Sequence, residues 1–252
     1  MIVFAHLLND FSGSPRVLCA VISSLKGSHD DSRLYVGSDG SGCLSDVELD
    51  VRRYWYRHTP YRFLTLVTYF LSQLFLLVHL LFARGIERNA VIYVNTLLPF
   101  GAALYGFITR RRVVYHLHEV SIKPAPLRWF LKTVARYAAD DLVYVSNAHR
   151  NFLPIYGVPA HTIRNALDAG FLGKGEKSHY QPFRDGQFTV LMLASLRDYK
   201  GIPELLAVAG RLVSRTDIRF ELVCNDDEKT IARYFSSTLL PSNLAICSRT
   251  AQ

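Results

Sequence analysis

The sequence predicts an α/β fold of two Rossmann-like parallel-sheet domains, the second incomplete. Apolar runs of strand length alternate with apolar repeats of helical spacing, and most strand candidates end in small or polar residues. A polar stretch rich in Gly, Lys and Ser, residues 170–187, divides the chain. This gives a first domain over 1–169, a linker over 170–187 and a partial second domain over 188–252.

The elements follow in order. Ile2 to Leu8 reads as a first strand, Asn9 to Arg16 as a polar turn with Gly13, and Val17 to Leu25 as a helix. Strand, glycine-containing turn and helix together form a common nucleotide-fold opening. One glycine is weaker than a full Gly-rich fingerprint, so ligand binding and plain turn chemistry both stand for Gly13 and Ser14. Ser32 to Val36 is a second strand, and Val51 to Arg62 is a basic, aromatic segment. Phe63 to Ala83 carries no charged residue. That length reaches the roughly 20 residues of a spanning helix. Thr65, Thr68, Ser72, Gln73 and His79 interrupt it, and a span would split the surrounding fold. Two readings remain: a helix seated on an anionic membrane surface beside the Arg/Trp/Tyr cluster, or a core helix with a solvated basic face.

Val91 to Val94, Val113 to Leu117 and Asp141 to Val145 are strands, ending respectively at Asn95-Thr96, His118-Glu119 and Ser146-Asn147. Leu104 to Ile108, Leu127 to Ala139 and Ala148 to Tyr156 are helices. In the second domain Thr189 to Leu193 opens a strand, Arg197 and Lys200 follow, and Pro203 and Glu204 lie in the first turn of the next helix. Free N–H groups at that helix start, with two cations beside them, suit a phosphate. Arg219 to Cys224 and Leu244 to Cys247 are strands, and Asp226 to Ser236 is a helix.

With 29 Lys and Arg against 21 Asp and Glu, the net charge is +8. This favours acidic partners, nucleotides or an anionic membrane surface, while no nucleic-acid-binding module is recognisable. The four cysteines show no metal spacing and read as reduced thiols. His116, His118 and Glu119 are the nearest approach to a metal set, but His118 and Glu119 diverge along an extended strand, so no metal is assigned.

Several motifs together resemble the retaining glycosyltransferases of family 4, which have the GT-B fold. Ala194 to Gly201 resembles that family's Gly-Arg-Leu, three residues, Lys-Gly pattern. Lys200 and Gly201 match, Ser195 stands at the arginine position, and Arg197 lies two residues later. Val114 to Glu119 resembles the segment in which a histidine ends a strand at the cleft, Val143 to Ala148 the segment preceding a helix, and Ile163 to Asp168 the Asn-containing turn near the hinge, with Ala166 in place of glycine. The resemblance implies a sugar transferred from a nucleotide-sugar donor with retention, with no cofactor beyond that donor substrate. It implies His118 as the catalytic-site residue and Arg197, Lys200, Gly13, Ser14 and Asn165 as donor-binding residues. The acceptor it implies is a cell-envelope glycan or lipid-linked molecule, and the basic, aromatic segment Val51 to Arg62 adds the expectation of a cytoplasmic protein peripheral at the inner face of the membrane. The family's Glu, seven residues, Glu segment has no counterpart after Lys200. The alternative is therefore a truncated, non-catalytic or partner-dependent nucleotide-binding protein, with a partner chain supplying the missing half.

Overall fold

The computed structural model describes residues 1–248 other than 26, 28–30, 39, 120, 121, 168, 179–182 and 185. The chain forms two compact units, Met1–Asp168 and Ala169–Gln252.

The first unit runs β1 (Ile2–His6), α1 (Gly13–Ser24), β2 (Arg33–Gly37), a 3₁₀ turn (Cys43–Ser45), β3 (Asp50–Tyr54), α2 (Arg62–Phe82), β4 (Val91–Asn95), α3 (Phe100–Ile108), β5 (Val113–Leu117), α4 (Ala125–Ala138), β6 (Asp141–Tyr144), α5 (Asn147–Phe152) and β7 (Ala160–Thr162). The seven strands lie in the order β3-β2-β1-β4-β5-β6-β7, every neighbouring pair parallel. The chain winds from β1 to the β3 edge, then α2 returns it to β4 at the other side of β1. The strand order therefore reverses between β1 and β4, and ligands of open parallel sheets sit at the carboxyl ends of the strands flanking such a point.

Side-chain alternation explains why both faces of this sheet are filled. Phe4 packs with Leu18, Leu34 and Val36 under α1. Val3 and Ala5 point the other way, into a core with Tyr115 of the same sheet and with Leu76, Leu80 and Leu131 of helices α2 and α4. Several elements differ from expectation, among them α3, which begins at Phe100 and not Leu104, and β7, where no strand is predicted. The basic segment after residue 50 contains edge strand β3, whose charges hid its pattern. Edge strands tolerate and even favour such charges, and Arg52 pairs with Asp50 at 3.0 Å. Helix α1 starts at Gly13, earlier than Val17, because Gly-Ser-Pro forms its first turn.

Helix α2 buries only a narrow stripe, Tyr69, Ser72, Gln73, Leu76 and Leu80. Gln73 Oε1 accepts from the Gly101 N–H at 3.2 Å, and Tyr69 Oη donates to the Leu98 carbonyl at 2.7 Å. A Cβ at Gly101 would run into the Gln73 backbone carbonyl, so glycine is what lets α3 cross α2 this closely. The solvated basic face expected of a core helix is absent. The exposed side of α2 is apolar, and the arginines stand at and beyond its ends.

The second unit contains α6 (Ala169–Glu176), β8 (Phe183–Arg184), β9 (Gln187–Leu193), a 3₁₀ turn (Asp198–Lys200), α7 (Ile202–Arg211), β10 (Ile218–Cys224), α8 (Glu228–Tyr234) and β11 (Leu244–Ser248). Residues 170–187 are thus not a plain connector, since they carry α6 and β8. The sheet order is β11-β10-β9-β8, with three parallel strands and β8 antiparallel. It is the smaller of the two sheets. Phe220, Leu222 and Cys224 are buried on one face. Leu222 and Cys224 pack there with Ile202 and Phe235, while Leu191 and Leu193 on the other face are 55% and 72% exposed. All four cysteines are free thiols.

Candidate functional site

At the switch point of the first sheet the ends of β1, β4 and β5 and the start of α1 enclose a cleft of about 300 Å³. His6, Ser12, Gly13, Ser14, Thr96 and His118 all line it. Three expected site residues, Gly13, Ser14 and His118, therefore meet in one place. Gly13 has no left-handed backbone, and a Cβ there would meet open space, so the glycine keeps room in the cleft. Helix α1 has no acidic residue in its first turn and no side-chain cap from Ser12. Its N-terminal dipole and N–H groups favour an anion in that room.

The cleft rests on a polar network centred on Asn95, which is fully buried. Asn95 Nδ2 lies 3.1 Å from the Ser14 carbonyl, which can only accept, so the amide nitrogen must face it. Asn95 Oδ1 then faces His118 Nε2 at 3.0 Å. An amide oxygen only accepts, so Nε2 carries the proton and Nδ1 of His118 keeps a lone pair. His6 Nδ1 sits 3.1 Å from both the backbone carbonyl and the side-chain amide nitrogen of Asn95, and its Nε2 is buried without a partner among the described residues. His116 stacks on His118 with ring centroids 4.2 Å apart and bonds Tyr93 Oη through Nδ1 at 2.7 Å. The alternation that put His116 and His118 on one face is observed.

These imidazoles are neutral at ordinary pH. Burial, with the neighbouring His116, His6 and His149 rings, pushes His118 down to about 3. Burial likewise pushes His6 and His116 to about 4. His118 is therefore suited to accept a hydrogen bond through Nδ1, not to act as a cationic acid.

Glu119 faces the same region but serves the backbone. Its carboxylate accepts from Leu97 N at 2.6 Å and His118 N at 3.2 Å. Burial pushes its carboxyl up, and those N–H bonds pull it back. Thr96 has φ +78°, a rare conformation for a β-branched residue, and lies between Asn95 and the Glu119-bound Leu97. His149 donates to the Glu119 carbonyl at 2.8 Å through Nε2. With the carboxylate of Glu119 on two backbone N–H groups and His118 on Asn95, His116, His118 and Glu119 do not converge, and no cluster of three metal-ligating residues occurs among the described residues.

Other polar strand ends turn out to be structural. Asn9 Oδ1 accepts from Leu44 N at 3.1 Å and its amide donates to Ser45, tying down the 3₁₀ turn. Ser146 caps α5 through the His149 N–H at 3.0 Å. Asn165 is exposed in the segment after β7 and is not part of the cleft lining. His6, Thr96 and His149 were not singled out from sequence. Reading β1 to Leu8 put His6 inside the strand, whereas the strand stops at His6.

In the second unit Arg197 and Lys200 flank the turn between β9 and α7. Asp226 Oδ2 holds the turn by accepting from Leu196 N at 3.0 Å, and the Tyr234 hydroxyl donates to Asp198. Gly201 caps α7 in the left-handed region at φ +90°. Arg197 and Lys200 are exposed, the latter's Nζ 5.4 Å from the Tyr199 ring centre. Neither makes an ion pair among the described residues.

No protein-family model matches the sequence, and no curated protein matches it. Solved structures do. An α,α-trehalose-phosphate synthase (UDP-forming) from Burkholderia xenovorans, in complex with glucose-6-phosphate, superposes with TM-score 0.66 at 12% identity, over 100% of this chain and 75% of that one. A trehalose-6-phosphate structure from E. coli bound with UDP-2-fluoro glucose gives 0.66 at 11%, over 98% and 73%. The glycotransferase of kitacinnamycin gives 0.61 at 9%, over 98% and 70%. The chain has the GT-B fold. At these identities the likeness is one of fold.

Proposed function

We propose that this protein is a glycosyltransferase that moves a sugar, with retention, from a nucleotide-sugar donor to a cell-envelope glycan or lipid-linked acceptor, in the manner of family 4. The observation that carries the reading is the cleft at the β1/β4 switch point, where an anion-favouring helix start faces a tautomer-fixed His118. In this reading Nδ1 of His118 accepts from a sugar hydroxyl, and Gly13 and Ser14 leave room and backbone donors for the ligand. Arg197 and Lys200 offset the charge that develops on the leaving diphosphate, and Asn165 is a further donor contact. No metal or cofactor is required of these residues. Solved structures of the same fold hold UDP-2-fluoro glucose and glucose-6-phosphate, which supports a nucleotide-sugar donor and a sugar acceptor.

A panel of UDP-, GDP- and ADP-sugars titrated calorimetrically tests it. One of them binds, and His118→Ala and Lys200→Ala each weaken it. Absence of binding by every nucleotide-sugar refutes the reading. A second reading, nucleotide binding without turnover by the chain alone, is favoured by the bare Leu191–Leu193 face and the unbraced cations of the second unit. Binding without nucleotide release in the presence of acceptor selects that reading.

A further inference from the structure

Helix α2 has twenty-one residues and so extends about 31 Å. Phe63, Val67, Leu71, Leu74, Val78 and Phe82 recur at three- and four-residue spacing along it, and all are exposed, from 40% at Val67 to 82% at Phe82. They form one apolar ridge along the whole helix, opposite the buried Tyr69–Leu80 stripe. Folded proteins rarely leave so long an apolar ridge to water unless something covers it. The flanks are cationic: Arg57 and Arg62 at one end, Arg84 and Arg88 at the other, all exposed and none paired with a carboxylate among the described residues. Two exposed aromatic side chains accompany the helix. Trp55 packs on Phe75 with ring centroids 5.7 Å apart, and Tyr61 is 70% exposed. An open groove of about 560 Å³ at the C-terminal end of α2 joins Arg52 and Arg84 to Val78 and Phe82, cation beside hydrocarbon.

We infer that the exposed face of α2 docks on an anionic lipid bilayer, with the helix lying in the interfacial plane. An apolar ridge with cations at both ends matches acyl chains below and anionic headgroups around. A second copy of the chain fits worse. Parallel or antiparallel, an α2–α2 contact sets arginines against arginines at both ends. A spanning helix fits worse still, because α2 is bonded to the chain around α3 through Tyr69 and Gln73 and joins two strands of one sheet. The inference does not depend on the proposed sugar transfer, though a surface-bound enzyme could meet a lipid-linked acceptor there.

The test reads lipid binding alone. In a Trp129→Phe protein Trp55 is the sole tryptophan, since the chain has only two. Its emission should shift to the blue, and the protein should co-sediment, with vesicles containing phosphatidylglycerol, and bind pure phosphatidylcholine vesicles about tenfold more weakly or less. Leu71→Gln/Leu74→Gln should lower binding about tenfold, as should Arg57→Glu/Arg62→Glu, with circular dichroism unchanged. Lipids brominated on the acyl chains should quench Trp55, which decides the matter should the α2 variants fail to fold. The inference is overturned by no binding to anionic vesicles, by no quenching, by binding indifferent to Leu71 and Leu74, by a dimer in sedimentation velocity that Leu74→Gln dissociates, or by retention in membranes after alkaline carbonate extraction.

Discussion

The two units place their candidate ligand-binding groups in opposite physical settings. In the first, His6, Asn95 and His118 come from three adjacent parallel strands, and their hydrogen bonds fix which nitrogen of His118 is free. In the second, Arg197 and Lys200 project from a short exposed turn. Buried polar groups in a network cost much when one member is removed, whereas exposed cations are screened and nearly independent. Changes at the first site should therefore register in stability as well as ligand binding, and changes at the second in binding alone.

Acid should reveal the first site most strongly. His6 falls from 6.5 to about 4 on folding and His116 does the same. Between those values the unfolded chain binds protons that the folded chain refuses, so stability is complete above 6.5 and declines as pH falls toward about 4. His6 alone accounts for about 3 kcal/mol over that window. Urea midpoints measured against pH should show the slope, and His6→Gln should flatten it by about one proton. A pH-independent midpoint would contradict the buried neutral cluster.

Asn95→Ala comes next. It leaves His118 Nε2 and the Ser14 carbonyl without their shared partner, while His6 Nδ1 keeps the backbone carbonyl of residue 95, at a cost of about 2–3 kcal/mol. The same substitution at Arg197 should change stability by less than about 0.5 kcal/mol. Equal losses at the two positions by chemical denaturation would erase the contrast drawn between the units.

A smaller effect is local to the second unit. Gly201 holds φ +90° between the 3₁₀ turn and α7, with no side-chain atom nearer than 3.8 Å to a built Cβ. Gly201→Ala therefore pays only backbone strain, about 1 kcal/mol. Thermal denaturation resolving the two units should show the loss in the second alone.

The sequence made some of this legible and not the rest, for physical reasons. Alternating apolar runs gave the parallel sheet because strands buried on both faces are continuous in hydrophobicity, as in Val3-Phe4-Ala5. Strand β3 was hidden because an edge strand carries Asp50, Arg52 and Arg53. His118 was visible as a polar residue ending an apolar run, while His6 looked like strand interior. What joins them is the strand order, which brings residues 6, 95 and 118 together across β1, β4 and β5. The left-handed Thr96 had no sequence signal at all, since turns usually place Gly or Asn there. The apolar stretch of α2 was plain, but only packing shows that the side left outside is the apolar one.

Lys200→Ala gives the smallest effect on the fold. Among the described residues its ammonium makes no ion pair and lies 5.4 Å from the Tyr199 ring centre, and both residues are exposed. Its removal should leave the urea midpoint within about 0.5 kcal/mol of the parent. If the cation faces a diphosphate, affinity for the nucleotide-sugar should fall about five- to tenfold. The loss should shrink at high salt, because screening already weakens the parent's contact with the anion. Loss of stability without loss of affinity would assign Lys200 to the turn and leave the helix start of α1 as the remaining candidate anion site.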